Sequence, residues 1–173
     1  MSVELIVYAC PVGDLAASLQ TYFQLAKANF SANPAHNYMP HITLTGFFEA
    51  EAKDVAKLTG WLEAALAAHQ PKPDPVLKIT QLILKPEFHG LDIRSPYLKI
   101  VAADFANRAH ELIPLRLKDW LHLSLAYDFP ESENTGLHQL AKHTVDIYSS
   151  VQWELCLYER HHQGWTQHLS LPL

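Results

Sequence analysis

His41-Ile42-Thr43-Leu44-Thr45 and its echo, His122-Leu123-Ser124-Leu125-Ala126, decide how this chain reads. Both run His, aliphatic, hydroxyl, Leu. In a β-strand alternate side chains share a face. His41 and Thr43 therefore point one way while Ile42 and Leu44 point the other. His122 and Ser124 do the same, with Leu121, Leu123 and Leu125 behind them. An apolar back with one imidazole and one small hydroxyl in front is the pattern of a strand that lines a site. Two such strands predict a cleft where two imidazoles and two hydroxyls meet one small group.

The rest of the chain can be placed around these two strands. Val3 to Cys10 is rich in Val, Ile, Leu and Tyr and is closed by Pro11, which predicts a strand. Leu15, Leu19, Tyr22, Phe23, Ala26 and Phe30 recur at helical spacing, with Asp14 as the expected N-cap. Pro40 leads the first motif in from a fixed turn. A second helix is expected from about 49 to 66, with Glu49 and Glu51 in its first turn. The Pro-rich run 70–75 is the one linker. Strands are expected at 76–84, 91–94 and 97–101, then a helix through Phe105 and Ala109 that Pro114 stops. The second motif strand, 120–127, is followed by a helix through Leu137 and Val145, and the strands 151–158 and 165–171 finish the chain. Each motif strand precedes a helix, a weak internal duplication. The expectation is one α+β domain over 1–173. It has two pseudo-symmetric lobes of antiparallel sheet, about 1–75 and 76–173, helices outside, a cleft between them, and terminal strands free to exchange.

Composition narrows the function classes. The chain has 173 residues, enough for a real core, and a net charge of −5, which argues against coating duplex nucleic acid. No run approaches the roughly 18 apolar residues of a membrane helix. Met1 to Glu4 carries no basic stretch of a secretory leader, and the two cysteines, Cys10 and Cys156, read as separate buried thiols. A cytoplasmic monomer is the expectation.

Histidine titrates near neutrality, so a pair can supply a general base and a general acid in one turnover. Two hydroxyls beside them can hold the non-bridging oxygens of a phosphate. The set suits in-line attack of water on a phosphodiester. Pro40-His41-Ile42-Thr43-Leu44 and Leu121-His122-Leu123-Ser124-Leu125-Ala126 resemble the two HxT/S signatures of the 2H phosphoesterase superfamily. The second motif with Tyr127, the run Leu137-His138-Gln139-Leu140-Ala141, and Gln152-Trp153 with Leu157-Tyr158-Glu159-Arg160 are similar to the phosphoesterase domain of the vertebrate TULA/Sts proteins. The resemblance covers most of the chain and is loosest over about 70–118.

It implies a bilobal fold and a phosphoric diester hydrolase that needs no metal or other cofactor. The implied substrates are 2′,3′-cyclic phosphates of nucleotides or RNA ends, or related 2′-5′ linkages, and RNA processing is the corresponding role. By motif position His41 and His122 are the acid–base pair, and Thr43 and Ser124 bind the phosphate. Tyr127, five residues after the second histidine, matches an aromatic that stacks on the base in several relatives; Tyr8 is a second stacking candidate. The motifs are too symmetric to assign acid and base. The alternative is a module on the same fold that binds a nucleotide or a protein without turnover.

Other chemistry is poorly served. His161 and His162 are adjacent and point apart on a strand, His138 and His143 are not at the helical spacing of a zinc pair, and HExxH is absent, so no metal site is expected. Trp61, Trp120 and Trp153 read as packing. Arg94 and Arg160 are the candidate cations for phosphate, with nothing to choose between them.

Overall fold

The computed structural model describes the whole chain, residues 1–173. Eight strands form one antiparallel sheet covered by four α-helices. Strand β1 (Ser2–Val12) has partners on both edges. On one edge it meets β2 (Ile42–Thr43) and β3 (Phe48–Glu51). On the other it pairs with β7 (Gln152–His161), and β8 (Gly164–Pro172) lies outside β7. Beyond β2 come β6 (Leu121–Tyr127), β5 (Phe88–Arg94) and β4 (Lys78–Lys85), in that order. The sequence suggests two lobes dividing near residue 75. In the structure the strands join into one sheet, linked at the two-residue β2, and the segment after 76 supplies both of its flanks.

The two faces of the sheet differ sharply. Val3, Leu5, Val7 and Ala9 of β1, Ile42 and Leu44, and Leu121, Leu123 and Leu125 of β6 all enter one apolar core. Helices α1 (Asp14–Asn29), α2 (Val55–Ala68), α3 (Pro96–Ala109) and α4 (Asn134–Thr144) bury their stripes in that same core. The alternate residues face the other way. There Ile6, Tyr8, Cys10 and Cys156 make a small second cluster, and the motif residues stand beside it. With both faces covered, β1 reads as a nearly unbroken apolar run. No helix is long and apolar enough to cross a membrane.

Several local expectations are corrected. Residues 48–51, expected to open a helix, form β3: Phe48 and Ala50 are buried and Glu49 and Glu51 exposed, a period of two. Residues 97–101, expected as a strand, belong to α3. Ser95-Pro96 starts this helix, the Ser95 hydroxyl accepting from Leu98 N at 3.0 Å and Pro96 filling a first-turn position that needs no N–H. Helix α1 is preceded by Gly13 at φ 87°, and Asp14, the expected cap, instead accepts from the Ser150 hydroxyl at 2.6 Å. β1 runs past Pro11 to Val12, because β2 pairs no further than Ala9 and leaves that edge without a ladder for Pro11 to break.

Ser95 also donates to the Val76 carbonyl at 2.7 Å and is 2% exposed, so it ties the start of α3 to the chain entering β4. Ser95→Ala removes both bonds in a buried place and is expected to cost about 1–2 kcal/mol. Urea unfolding monitored by circular dichroism measures it as a lower midpoint at unchanged slope.

Candidate active site

The site starts from one backbone register. Ile42 of β2 lies opposite Leu123 of β6, both fully buried. Because the pairing is antiparallel, one step either side sets His41 across from Ser124 and Thr43 across from His122. All four leave the sheet on the face away from the core and line one cleft of about 370 Å³. Directly opposed side chains on a strand pair start roughly 5 Å apart and diagonal ones roughly 7–8 Å. The two imidazoles occupy one diagonal and the two hydroxyls the other, the right spread for one phosphoryl group. Thr43 and Ser124 are half-buried. Thr45, the next residue on this face, does something else. Its hydroxyl accepts from Val7 N at 3.1 Å and secures the strand to β1.

Each imidazole is held in place from behind. His41 Nδ1 donates to the Met39 carbonyl at 2.7 Å. A carbonyl only accepts, so this bond puts the ring proton on Nδ1 and leaves the Nε2 lone pair free for the cleft. The Tyr8 ring lies 3.9 Å from the His41 ring, tilted by 31°. Burial pushes the His41 pKa down to about 4 against the raising pull of the Met39 carbonyl, and the nearby His122 pushes it further down. His122 has the corresponding support. Trp120 stacks on it at 4.0 Å and 28°. The Trp120 backbone favours the charged imidazole, as Met39 does for His41. His122 Nδ1 nonetheless has no partner within hydrogen-bond geometry. Burial lowers the His122 pKa, Lys118 adds to the lowering, and Asp92 opposes it.

Asp92 fixes the Trp120 plate. It sits opposite His122 across the β5–β6 pair and accepts from Trp120 Nε1 at 2.8 Å and from the Thr80 hydroxyl. Those two bonds hold its carboxyl below the usual range. The two plates come from different places, Tyr8 from the neighbouring β1 and Trp120 from two residues before His122.

Tyr127, the first stacking candidate, lines the cleft. Tyr8 does not offer a free face: it is 1% exposed and lies under His41. Trp120, expected as packing, is 48% exposed and lines the cleft. Of the expected cations, Arg160 is engaged with Glu4 at 2.6 Å and over the Phe47 ring, and neither it nor Arg94 lines the cleft. Arg116 and Lys118 do. The sequence holds their signal in the alternation Leu115-Arg116-Leu117-Lys118, a two-residue period running up to the second motif. The two cysteines are buried and free. No group of three or more His, Cys, Asp or Glu side chains is arranged to hold a metal ion.

No protein-family model matches the chain. Over 91% of its length it is similar to an ecdysteroid-phosphate phosphatase of Bombyx mori, at 31% identity, and to two human proteins. These are the ubiquitin-associated and SH3 domain-containing proteins B, at 32%, and A, at 36%. The chain spans between about a quarter and a third of the length of these relatives (24%, 25% and 30%). A solved structure described as a phosphoesterase shares the fold, with a TM-score of 0.53 over 99% of this chain and 98% of that one, at 14% identity.

The charges around His122 oppose one another, and that gives a test. Asp92→Asn is expected to lower the His122 pKa further, and Lys118→Gln to raise it. Imidazole proton shifts followed by NMR between pH 4 and 8 read both, with His122→Ala assigning the resonance.

Proposed function

We propose that this 2H phosphoesterase-like chain, a homologue of the TULA/Sts proteins, is a metal-independent phosphodiesterase that opens 2′,3′-cyclic phosphates of nucleotides or RNA ends. The observation that carries the reading is the Ile42–Leu123 register, which sets His41, Thr43, His122 and Ser124 on one face of one cleft. The names of the Bombyx mori relative and of the structural neighbour agree with phosphoester hydrolysis.

His41 is the general base. Its Nδ1–H is committed to the Met39 carbonyl, its Nε2 lone pair faces the cleft, and its depressed pKa keeps it neutral through most of the working range. Nε2 takes a proton from water as the oxygen attacks phosphorus. His122 is the acid: it gives its Nε2 proton to the departing ribose oxygen as that P–O bond breaks. Thr43 and Ser124 donate hydrogen bonds to the non-bridging oxygens, whose charge grows at the transition state. A protonated His122 disfavours a second proton on His41, so the pair favours the one-proton state that the reaction needs.

Hydrolysis of the four nucleoside 2′,3′-cyclic phosphates in EDTA tests this directly. His41→Ala and His122→Ala are each expected to lower kcat by roughly 10²–10⁴-fold. Wild-type turnover in either variant defeats the mechanism, and tight binding without hydrolysis by the intact chain points to a binding module. The pH profile follows from the signs of the two shifts. The base must be unprotonated, so kcat/KM rises with pH through about 4, the His41 value. The acid must be protonated, and its pKa is depressed, so kcat/KM falls again before the ordinary histidine value of about 6.5. The expected optimum is therefore acidic, and a profile still rising at pH 7 contradicts the assignment.

A further inference from the structure

Arg116 has no part in the reaction at the motif phosphate, and Lys118 enters it only through the His122 pKa. The chain carries 18 acidic against 13 basic residues. Yet no Asp or Glu lines the cleft, and these two cations do. Neither is in an ion pair. Their segment is held firmly. Leu117 bridges Thr45, Gly46 N donates to the Arg116 carbonyl at 2.7 Å, and Lys118 N donates to the Leu44 carbonyl at 3.1 Å. Gly46 leaves the room that the guanidinium uses: a Cβ there would stand 3.1 Å from Arg116 Nε.

Their position along the cleft is informative. Leu44 to Gly46 continue the first motif strand beyond Thr43, so Arg116 and Lys118 lie past the Thr43–His122 end of the quartet. Tyr127 lies past the opposite end, where His41 faces Ser124, and Tyr38 is close enough to act on its phenol. The cleft thus has a tyrosine end, a phosphoryl centre and an end that carries both cations, with Trp120 and Phe47 beside them. In a nucleoside 2′,3′-cyclic phosphate the base leaves from C1′, beside C2′, and the 5′ substituent leaves from C4′, beside C3′. Base and 5′ group fall on opposite flanks of the reacting phosphorus, as the two ends of this cleft do.

Resting on the diesterase reading above, we propose that Arg116 and Lys118 form a second anion subsite that takes the 5′ phosphate of the substrate. The preferred substrate is then a cyclic phosphate with a phosphoryl group at its 5′ position, either a 5′-monophosphate or the 5′ linkage of an RNA end, rather than a bare cyclic nucleoside monophosphate. Arginine's planar fork suits two phosphate oxygens at once, and lysine adds a point charge.

Steady-state kinetics on adenosine 2′,3′-cyclic phosphate, its 5′-phosphorylated form and the dinucleotide ApA with a terminal 2′,3′-cyclic phosphate provide the test. For the wild type a 5′-phosphoryl group is expected to raise kcat/KM about tenfold or more, the equivalent of about 1.4 kcal/mol. That ratio is expected to fall towards one in Arg116→Gln/Lys118→Gln and to shrink as salt rises, since part of the attraction is screened. A gain with the dinucleotide identifies an RNA end as the source of the phosphate, and a gain with the monophosphate alone identifies a nucleotide. Equal kcat/KM with and without a 5′-phosphate, or a preference that survives the double substitution, overturns the subsite. Calorimetry with adenosine 2′,5′-bisphosphate against adenosine 2′-phosphate asks the same question without turnover. Stronger binding of the bisphosphate that is lost in the double variant, with no hydrolysis of any cyclic phosphate, retains the subsite and refutes the diesterase reading.

Discussion

The contact between Ile42 and Leu123 holds more than its size suggests. Strand β2 is two residues long, and it is where the flank built on β1 meets the flank built on β6. Ile42 is paired with Ala9 on one side and Leu123 on the other, and all three are fully buried. Apolar burial on the core face locks the register, because a slip by one residue would turn every side chain to the opposite face. The same lock points His41, Thr43, His122 and Ser124 into the cleft. Core packing and site geometry are thus one constraint seen from the two faces of the sheet.

The chemistry follows from what surrounds the imidazoles. Burial alone would only make both histidines neutral. The differences between them divide the work: His41 is the more deeply depressed and has its Nδ1 proton pinned, whereas His122 sits between a lysine and a carboxylate that pull in opposite senses. The aromatic plates, Tyr8 and Trp120, exclude water from one side of each ring and limit its rotation. Asp92 serves twice, anchoring the Trp120 indole and favouring the charged state of the His122 imidazole.

Much of this is legible in the residues. A period of two with an apolar back places both motif strands, and the repetition of the motif places the cleft. Periodicity fails where a short element lies inside a stronger neighbour. Phe48 to Glu51 alternates over four residues only, too few to stand out before a long helical stripe. Tyr97 to Val101 is apolar enough for a strand, and the capping pair Ser95-Pro96 is the sign that marks it as helix. Trp120 reads as core because its neighbours Leu121 and Leu123 are core. It lies two residues before His122 and shares that face, where its indole donates to Asp92, the cross-strand partner of His122. Arg116 and Lys118 show their common face in the alternation 115–118, but their place in the cleft comes from a bridge between Leu117 and Thr45, far apart in sequence, with Arg116 against Gly46.

Strand β1 carries a cost in time. Its partner β7 lies at the other end of the chain, with Glu4 facing Arg160 across the ladder. During synthesis β1 leaves the ribosome with both faces apolar and one edge unpaired until β7 has been made. Contacts this distant in sequence close slowly, and exposed strand edges in the interval invite association. Helix α1, which follows directly and packs on the same core, is the first element able to shield it. The sheet is therefore closed late, when β7 docks along the free edge of β1.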